Sequence, residues 1–370
     1  MNTDQLKFKI AVTLINGVGN SIARNLITYL GSEEAVFAEK KQTLMKIPGI
    51  GETIATGITN QKEALQRADD EINFILKNNI QVHYFTDTTY PQRLRECQDA
   101  PLLLFTRCAA DLNSLHVVSL VGTRNATDYG RSVCQGLIAG LSGVPSLLIV
   151  SGLAYGIDIC AHKAALDNGI PTVGVVAHGL DRIYPGNHRS TAIRMTEQGG
   201  IVTEYLSQTN PDRQNFIQRN RIIAGMSDAV LVIESGLKGG ALITASLGND
   251  YNRDVFAVPG KVGDTWSKGC NQLIKTNKAG MIENAEDLLY VMGWHPEAKI
   301  LTKGELVLFP ELNEEEIKVY TILNDHISGL QVNEIARLAD LPYSKISAIL
   351  LSLEFKSLTK CFPGGVYSVV

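Results

Sequence analysis

Leu147-Leu148-Ile149-Val150-Ser151-Gly152-Leu153-Ala154-Tyr155-Gly156-Ile157-Asp158 sets a short apolar run against a glycine-rich turn and a helix start. Unbroken apolar runs of strand length belong to strands buried on both faces, as in parallel sheets covered by helices. The glycines turn the chain, and Ile157–Asn168 then reads as a helix. The unit recurs on both sides. His116–Gly122, Thr172–Gly179, Gly200–Tyr205, Ala229–Glu234 and Val255–Pro259 are rich in Val, Ile and Leu and mostly end near Gly or Pro. Tyr129–Leu141, His188–Gln198, Gln218–Met226 and Ala241–Asn252 are helical between them. The alternation predicts an α/β domain over residues 81–295, a Rossmann-like doubly wound fold with a mostly parallel sheet.

The flanks differ from this centre. Residues 1–80 have a helical rhythm and an internal repeat, in which Gly17-Val18-Gly19 and Gly49-Ile50-Gly51 each separate two helices. This is the pattern of a helix-hairpin-helix domain, whose glycines bring helix-terminal amides up to a phosphate. A plain αα-hairpin with Gly at the helix C-cap is the other reading. Residues 296–310 read as a linker. Residues 311–370 read as a winged helix: Asn313–Leu323, Val332–Ala339 and Ser344–Leu353, followed by the strands of a hairpin. Asn313 and Ser344 are expected N-caps. The presumed recognition helix offers only Lys345 and Lys356 in an acidic segment, which points to protein contact rather than duplex reading.

Composition limits the function. With 45% hydrophobic and 19% charged residues the 370-residue chain is a folded protein, not a disordered one. Its net charge of −4 excludes DNA coating by a global basic field. Six scattered cysteines, none in a C-x-x-C pair, are expected to be reduced and mostly buried. No secretory signal or membrane-length apolar run is seen, so a cytoplasmic location is expected.

In doubly wound folds ligands bind outside the carboxyl ends of the strands. Three glycine-rich turns fall there: Val121-Gly122-Thr123-Arg124, Ser151–Asp158, and Glu234-Ser235-Gly236-Leu237-Lys238-Gly239-Gly240. Each opens a helix, so the rim suits an anion, most simply phosphate. Neither the Walker A loop nor G-x-G-x-x-G is present. Between 182 and 221 the chain carries Arg182, Arg189, Arg194, Arg213, Arg219 and Arg221 against only three carboxylates. Arg213-Gln214-Asn215-Phe216-Ile217-Gln218-Arg219-Asn220-Arg221 interleaves an aromatic ring with guanidinium groups. That combination clamps phosphates and stacks an unpaired base. The alternative gives Phe216 to the core and individual arginines to ion pairs.

Asp158 and His162 stand four apart and could act as an acid–base pair, or as a helix-start carboxylate and a structural histidine. No nucleophile arrangement and no metal-holding cluster can be assembled from spacing.

The combination of Val121-Gly122-Thr123-Arg124, Ser151–Asp158 with Ala161-His162, Arg219-Asn220-Arg221-Ile222-Ile223-Ala224-Gly225, Val258-Pro259-Gly260 and Gly269-x-Asn271-x-Leu273-Ile274 resembles the signature of the DNA-processing protein A (DprA/Smf) family. The three-part architecture is similar too. The resemblance implies a non-enzymatic, usually homodimeric bacterial protein without cofactor or metal. It implies binding of single-stranded DNA entering during natural transformation, and help in loading RecA recombinase. It assigns Arg124 to a backbone phosphate and the amides near Gly122, Thr123 and Gly152 to neighbouring ones. Arg213, Arg219, Asn220 and Arg221 would line the groove and Phe216 would stack a base. Family members often carry a basic residue after Tyr-Pro; here Gly186 follows Tyr184-Pro185, and Arg189 is the substitute. Gly239-Gly240-Ala241-Leu242-Ile243-Thr244 also resembles the loop of lysine-decarboxylase-like phosphoribohydrolases. Their catalytic Glu is missing, since Leu247 stands three after Thr244. A nucleotide sensor or such a hydrolase is therefore the competing expectation.

Overall fold

The computed structural model describes residues 3–295, 312–326, 329–356, 358–362 and 365–369. They form two compact units, one over residues 3–295 and one over the described residues from 312 onward. The linker expected over 296–310 lies outside the described residues.

The first unit opens with six helices: α1 (Thr3–Thr13), α2 (Asn20–Leu30), α3 (Glu33–Ala38), α4 (Lys41–Leu44), α5 (Glu52–Thr59) and α6 (Lys62–Lys77). The internal repeat is geometric as well as sequential. Gly17 and Gly49 take φ of +82° and +85°, which only glycine adopts freely, while Gly19 and Gly51 are the N-caps of α2 and α5. Between them Val18 and Ile50 are buried. These helices share a core with Tyr84, Leu102, Leu103 and Phe105 at the sheet edge. A buried carboxylate adds to the junction: Glu71 on α6 accepts from the Ser207 amide at 3.0 Å and its hydroxyl at 2.5 Å, and pairs with Arg67 at 2.8 Å.

The sheet follows as β1 (Gln81–Tyr84), α7 (Gln92–Arg95), β2 (Leu103–Cys108), β3 (His116–Val121), α8 (Asp128–Gly140), β4 (Leu147–Ser151), α9 (Ile157–Asp167), β5 (Thr172–Val175) and α10 (Arg189–Gln198). It continues as β6 (Gly200–Thr203), α11 (Arg213–Gly225), β7 (Ala229–Val232), α12 (Gly240–Asp250), β8 (Asp254–Ala257), α13 (Lys268–Lys275), β9 (Gly280–Met281) and α14 (Ala285–Met292). The spatial order is β1-β2-β6-β5-β4-β3-β7-β8-β9. The strands from β6 to β9 are parallel, and β2 runs antiparallel to both β6 and β1. Every residue of β4, β5, β6 and β7 is buried, because helices cover both faces. The order reverses between β3 and β7, which places a crevice at their carboxyl ends.

Helix α11 begins at Arg213, five residues ahead of the expected Gln218. Its first turn has no apolar stripe because it faces solvent and the crevice rather than the core. Strands β1, β2 and β9 were not expected. Two of them are short, and β2 is an antiparallel neighbour outside the strand–helix alternation.

The second unit is α15 (Glu314–Asn324), β10 (Leu330–Gln331), α16 (Val332–Ala339), α17 (Tyr343–Phe355), β11 (Thr359–Phe362) and β12 (Val366–Val369), the element order of a winged helix. Val319, Leu323, Ile335, Ile346, Leu350 and Leu353 form its core. Asn313 caps α15 in a capping box with Glu316. Ser344 is not the N-cap of α17. That helix starts at Tyr343 behind Pro342, whose fixed φ enters the helix without a side-chain cap. Lys345 pairs with Glu315 and Lys356 with Glu316, so both lysines of this segment are engaged within the unit. Among the described residues no helix is long and apolar enough to cross a membrane.

Candidate nucleic-acid interface

The three glycine-rich turns do different work. The first brings Arg124 to the rim. Its own amides are partly spent: Thr123 N–H donates to the Glu234 carbonyl at 2.7 Å, and Thr123 Oγ1 accepts from Asn125 N–H at 3.1 Å. Gly122 is needed for packing, since a Cβ there would stand 2.7 Å from Ile157 Cβ. The buried Glu234 carboxylate accepts from the Thr127 amide at 2.9 Å and its hydroxyl at 2.5 Å, which pins the turn to the start of α8.

The second turn is filled from inside, and the phosphate role expected of the Gly152 amide is not available to it. Asp158 accepts from Gly152 N–H at 3.1 Å and Ala154 N–H at 3.4 Å. His162 Nε2 accepts from Leu153 N–H at 3.3 Å while its Nδ1 faces the Thr172 hydroxyl at 2.7 Å. This holds Leu153 at φ +54°. Burial raises the Asp158 carboxyl above its ordinary range and pushes His162 down to about 3. Both side chains are committed to hydrogen bonds inside the protein. Both are structural groups that shape the loop.

The third turn opens outward. Gly239 is the N-cap of α12 with no side-chain cap, and added Cβ atoms at Gly239 would meet nothing within 4 Å. The first amides of α12 therefore face a cleft of about 670 Å³ whose walls include Arg124, Arg213, Phe216, Lys238 and Gly240. Asp158 is the one carboxylate among its described lining residues.

Helix α11 distributes its residues by direction. Phe216 is half-buried on the cleft wall, neither core nor free. The Arg124 guanidinium lies 5.3 Å from its ring centre, that of Arg219 5.9 Å, and the Tyr184 ring 5.9 Å. Arg213 is exposed at the helix start. Arg219 lines the cleft as expected, but its guanidinium is turned inward. It is 3% exposed, donates to the carbonyls of Gly152 (2.7 Å) and Val175, and has its pKa lowered to about 10, chiefly by burial. A Cβ on Gly152 would strike this guanidinium, so that glycine makes room for Arg219 rather than for a ligand. Asn220 is buried and donates to the Gly240 carbonyl at 3.4 Å, joining α11 to α12. Arg221 is a further correction. It leaves the cleft for a partly buried ion pair with Glu204 and a bond to the Asp99 carbonyl at 2.5 Å. Arg189 is exposed at the start of α10, outside the cleft lining. Arg182 and Arg194 are paired with Asp181 and Asp167.

The model of the DNA recombination-mediator protein A family matches residues 81–293. The chain belongs to this family. The putatively named relative in Mycobacterium tuberculosis, a DNA processing protein DprA, is 32% identical over 83% of this chain and 81% of its own. The DNA processing protein DprA of Streptococcus pneumoniae is 39% identical over 55% of this chain and 71% of its own. The crystal structure of the Streptococcus pneumoniae protein aligns with a TM-score of 0.66 at 31% identity, covering 78% of this chain and 97% of that one. DNA processing protein A of Helicobacter pylori, described for its single-stranded DNA binding mode, aligns with a TM-score of 0.52 at 28% identity over 58% of this chain and 98% of that one.

Within this family member the sequence located the rim but not its division of labour. Lys238 on the third turn and Tyr184 beside Phe216 were absent from the expected site residues. Lys238 could have been read from its place between two glycine-flanked positions. Nothing in the sequence places Tyr184 against Phe216, 32 residues away.

Proposed function

We propose that the protein binds single-stranded DNA in the cleft at the ends of β3 and β7, without turning it over. It receives incoming strands in natural transformation and helps pass them to a RecA-type recombinase, acting as a homodimer in the cytoplasm. The observation that carries the reading is the Arg124–Phe216 pair. A cation and a half-buried ring share one wall, opposite the open N-terminus of α12. Phosphates suit the guanidinium and the helix amides, and a base has a ring to stack on. Support also comes from the Helicobacter pylori relative's binding mode. Binding without turnover is the reading favoured by the commitment of Asp158, the one carboxylate of the described lining, to two backbone amides.

Fluorescence anisotropy with oligo-dT across a salt series tests it. Arg124→Ala should reduce the slope of log K against log salt by about 0.7, the share of one single-strand phosphate contact. Phe216→Ala should cost ~1–3 kcal/mol. An unchanged slope in Arg124→Ala, or equal affinity for duplex and single strand, would refute the assignment.

A further inference from the structure

A second cavity, of about 470 Å³, opens between the N-terminal helices and the edge of the sheet and shares no lining residue with the cleft. Its volume lies within the ~300–1,000 Å³ of small-molecule sites. Leu14, Val18, Leu103 and Phe105 give it an apolar side. Arg67 and Glu204 also line it, and each leaves a buried terminal atom unpaired. The Arg67 bonds to Glu71 and Ser207 are all made by Nη2, while Nη1 has no partner. Glu204 gives Oε2 to Arg221, while Oε1 has no partner. Buried polar atoms are almost always hydrogen-bonded, so a donor and an acceptor left open at one cavity call for a ligand that supplies both partners. The first Gly-x-Gly turn adds to this. Val18, Gly19 and Asn20 line the same cavity, and a Cβ on Gly19 would stand in open space. Helix α2 has neither a side-chain cap nor an acidic residue in its first turn. The second copy of the turn differs, since Glu52 opens α5 and pairs with Lys41 at 2.9 Å. The first copy alone keeps its helix-terminal amides for an anion, at the border of the cavity.

The geometry points to a second ligand site in this cavity, one for a nucleotide with an amino-bearing base. Its phosphate takes Arg67 Nη1 and the amides that open α2, its amine takes Glu204 Oε1, and its ring lies on the apolar side. The inference goes beyond the single-strand function and does not depend on it. A free mononucleotide and the phosphorylated end of a strand offer the same chemistry, and a cavity of this size suits the free mononucleotide. A ligand held there bridges the N-terminal helices and the residues that follow β6, since Arg67 belongs to α6 and Glu204 to the end of the strand.

Calorimetric titration of the full chain with adenosine monophosphate tests the site. The wild type should bind it about 10- to 100-fold more tightly than inosine monophosphate, which has a carbonyl in place of the amine and leaves Glu204 Oε1 open. Thr13→Phe and Thr209→Phe add bulk to the cavity lining from α1 and from the loop after β6. Each folded variant should lose adenosine monophosphate binding and keep oligo-dT binding. Arg124→Ala and Phe216→Ala should do the reverse, so this inference and the single-strand reading fail separately. A 5′-phosphorylated oligo-dA, measured against its unphosphorylated form, distinguishes the sources. If its advantage disappears in Thr13→Phe while the free nucleotide does not bind the wild type, the ligand is a strand end and the free mononucleotide is overturned. Equal affinity for the two monophosphates, or adenosine monophosphate binding that survives both filled variants, overturns the site itself.

Discussion

Gly156→Ala links the packing of the loops to binding. Gly156 sits at φ +77° and ψ −122°, a region closed to residues with a Cβ. A methyl group there would collide with the Thr123 carbonyl oxygen and lie 2.7 Å from the Arg124 carbonyl. The backbone strain alone costs about 1–3 kcal/mol. The collision is with backbone, which cannot swing aside like a side chain, so the total should reach about 3 kcal/mol or more. At about 2–4 °C per kcal/mol the melting temperature should fall by about 6–12 °C. The same collision pushes on the turn that carries Arg124. Oligo-dT affinity of the folded variant should drop by about tenfold, ~1.4 kcal/mol, just under the ~1.5–3 kcal/mol of one hydrogen bond to a charged group. Gly136→Ala is the control: it lies on the exposed face of α8 with nothing within 4 Å of the added methyl, and should be neutral or stabilise by up to about 1 kcal/mol. Urea denaturation and anisotropy on both variants decide the matter. A Gly156→Ala protein with wild-type stability and affinity would show that the two loops are not pressed together as described.

Arg221→Ala should act on stability rather than binding. It leaves the partly buried Glu204 carboxylate without its cation, at a cost below the ~3–5 kcal/mol of a fully buried pair, and the salt slope of the folded variant should stay that of the wild type. The urea midpoint should fall on acidification. His162 is neutral in the folded protein with a pKa near 3, and takes up its proton in the unfolded chain at its ordinary value near 6.5. The unfolded state therefore binds more protons between these values. Stability is fully present above about pH 6.5 and is lost below it by up to about 1.4 kcal/mol per pH unit from this group. His178 is shifted in the same direction by burial. A flat stability profile from pH 7 to 4.5 would contradict the buried neutral histidine. Finally, a thiol reagent on the native protein should modify the exposed Cys361 fast, with Cys97, Cys134, Cys160 and Cys270 protected until denaturation.

Much of the architecture is written along the chain. Runs such as Leu147–Ser151 and Ala229–Val232 are continuous apolar stretches because helices cover both sheet faces, and that burial is legible from neighbours in sequence. The turns at Gly122, Gly156 and Gly239 are legible for the same local reason. Which turn serves a ligand is not. The second turn looks as open as the third until Asp158, His162 and Arg219 are seen to occupy it, and Arg219 comes from α11, far along the chain.

The guanidinium groups make the same point. Arg124, Arg219 and Arg221 are identical in chemistry, and spacing alone enrolled all three at the groove. Their fates were set by what stands opposite: Phe216 for the first, two carbonyls for the second, Glu204 for the third. Residue type and local periodicity established the sheet, its covering helices and the rim that faces a ligand. Tertiary packing alone decided which charges stay in water, because the cost of burying a cation depends on partners that lie far away along the chain.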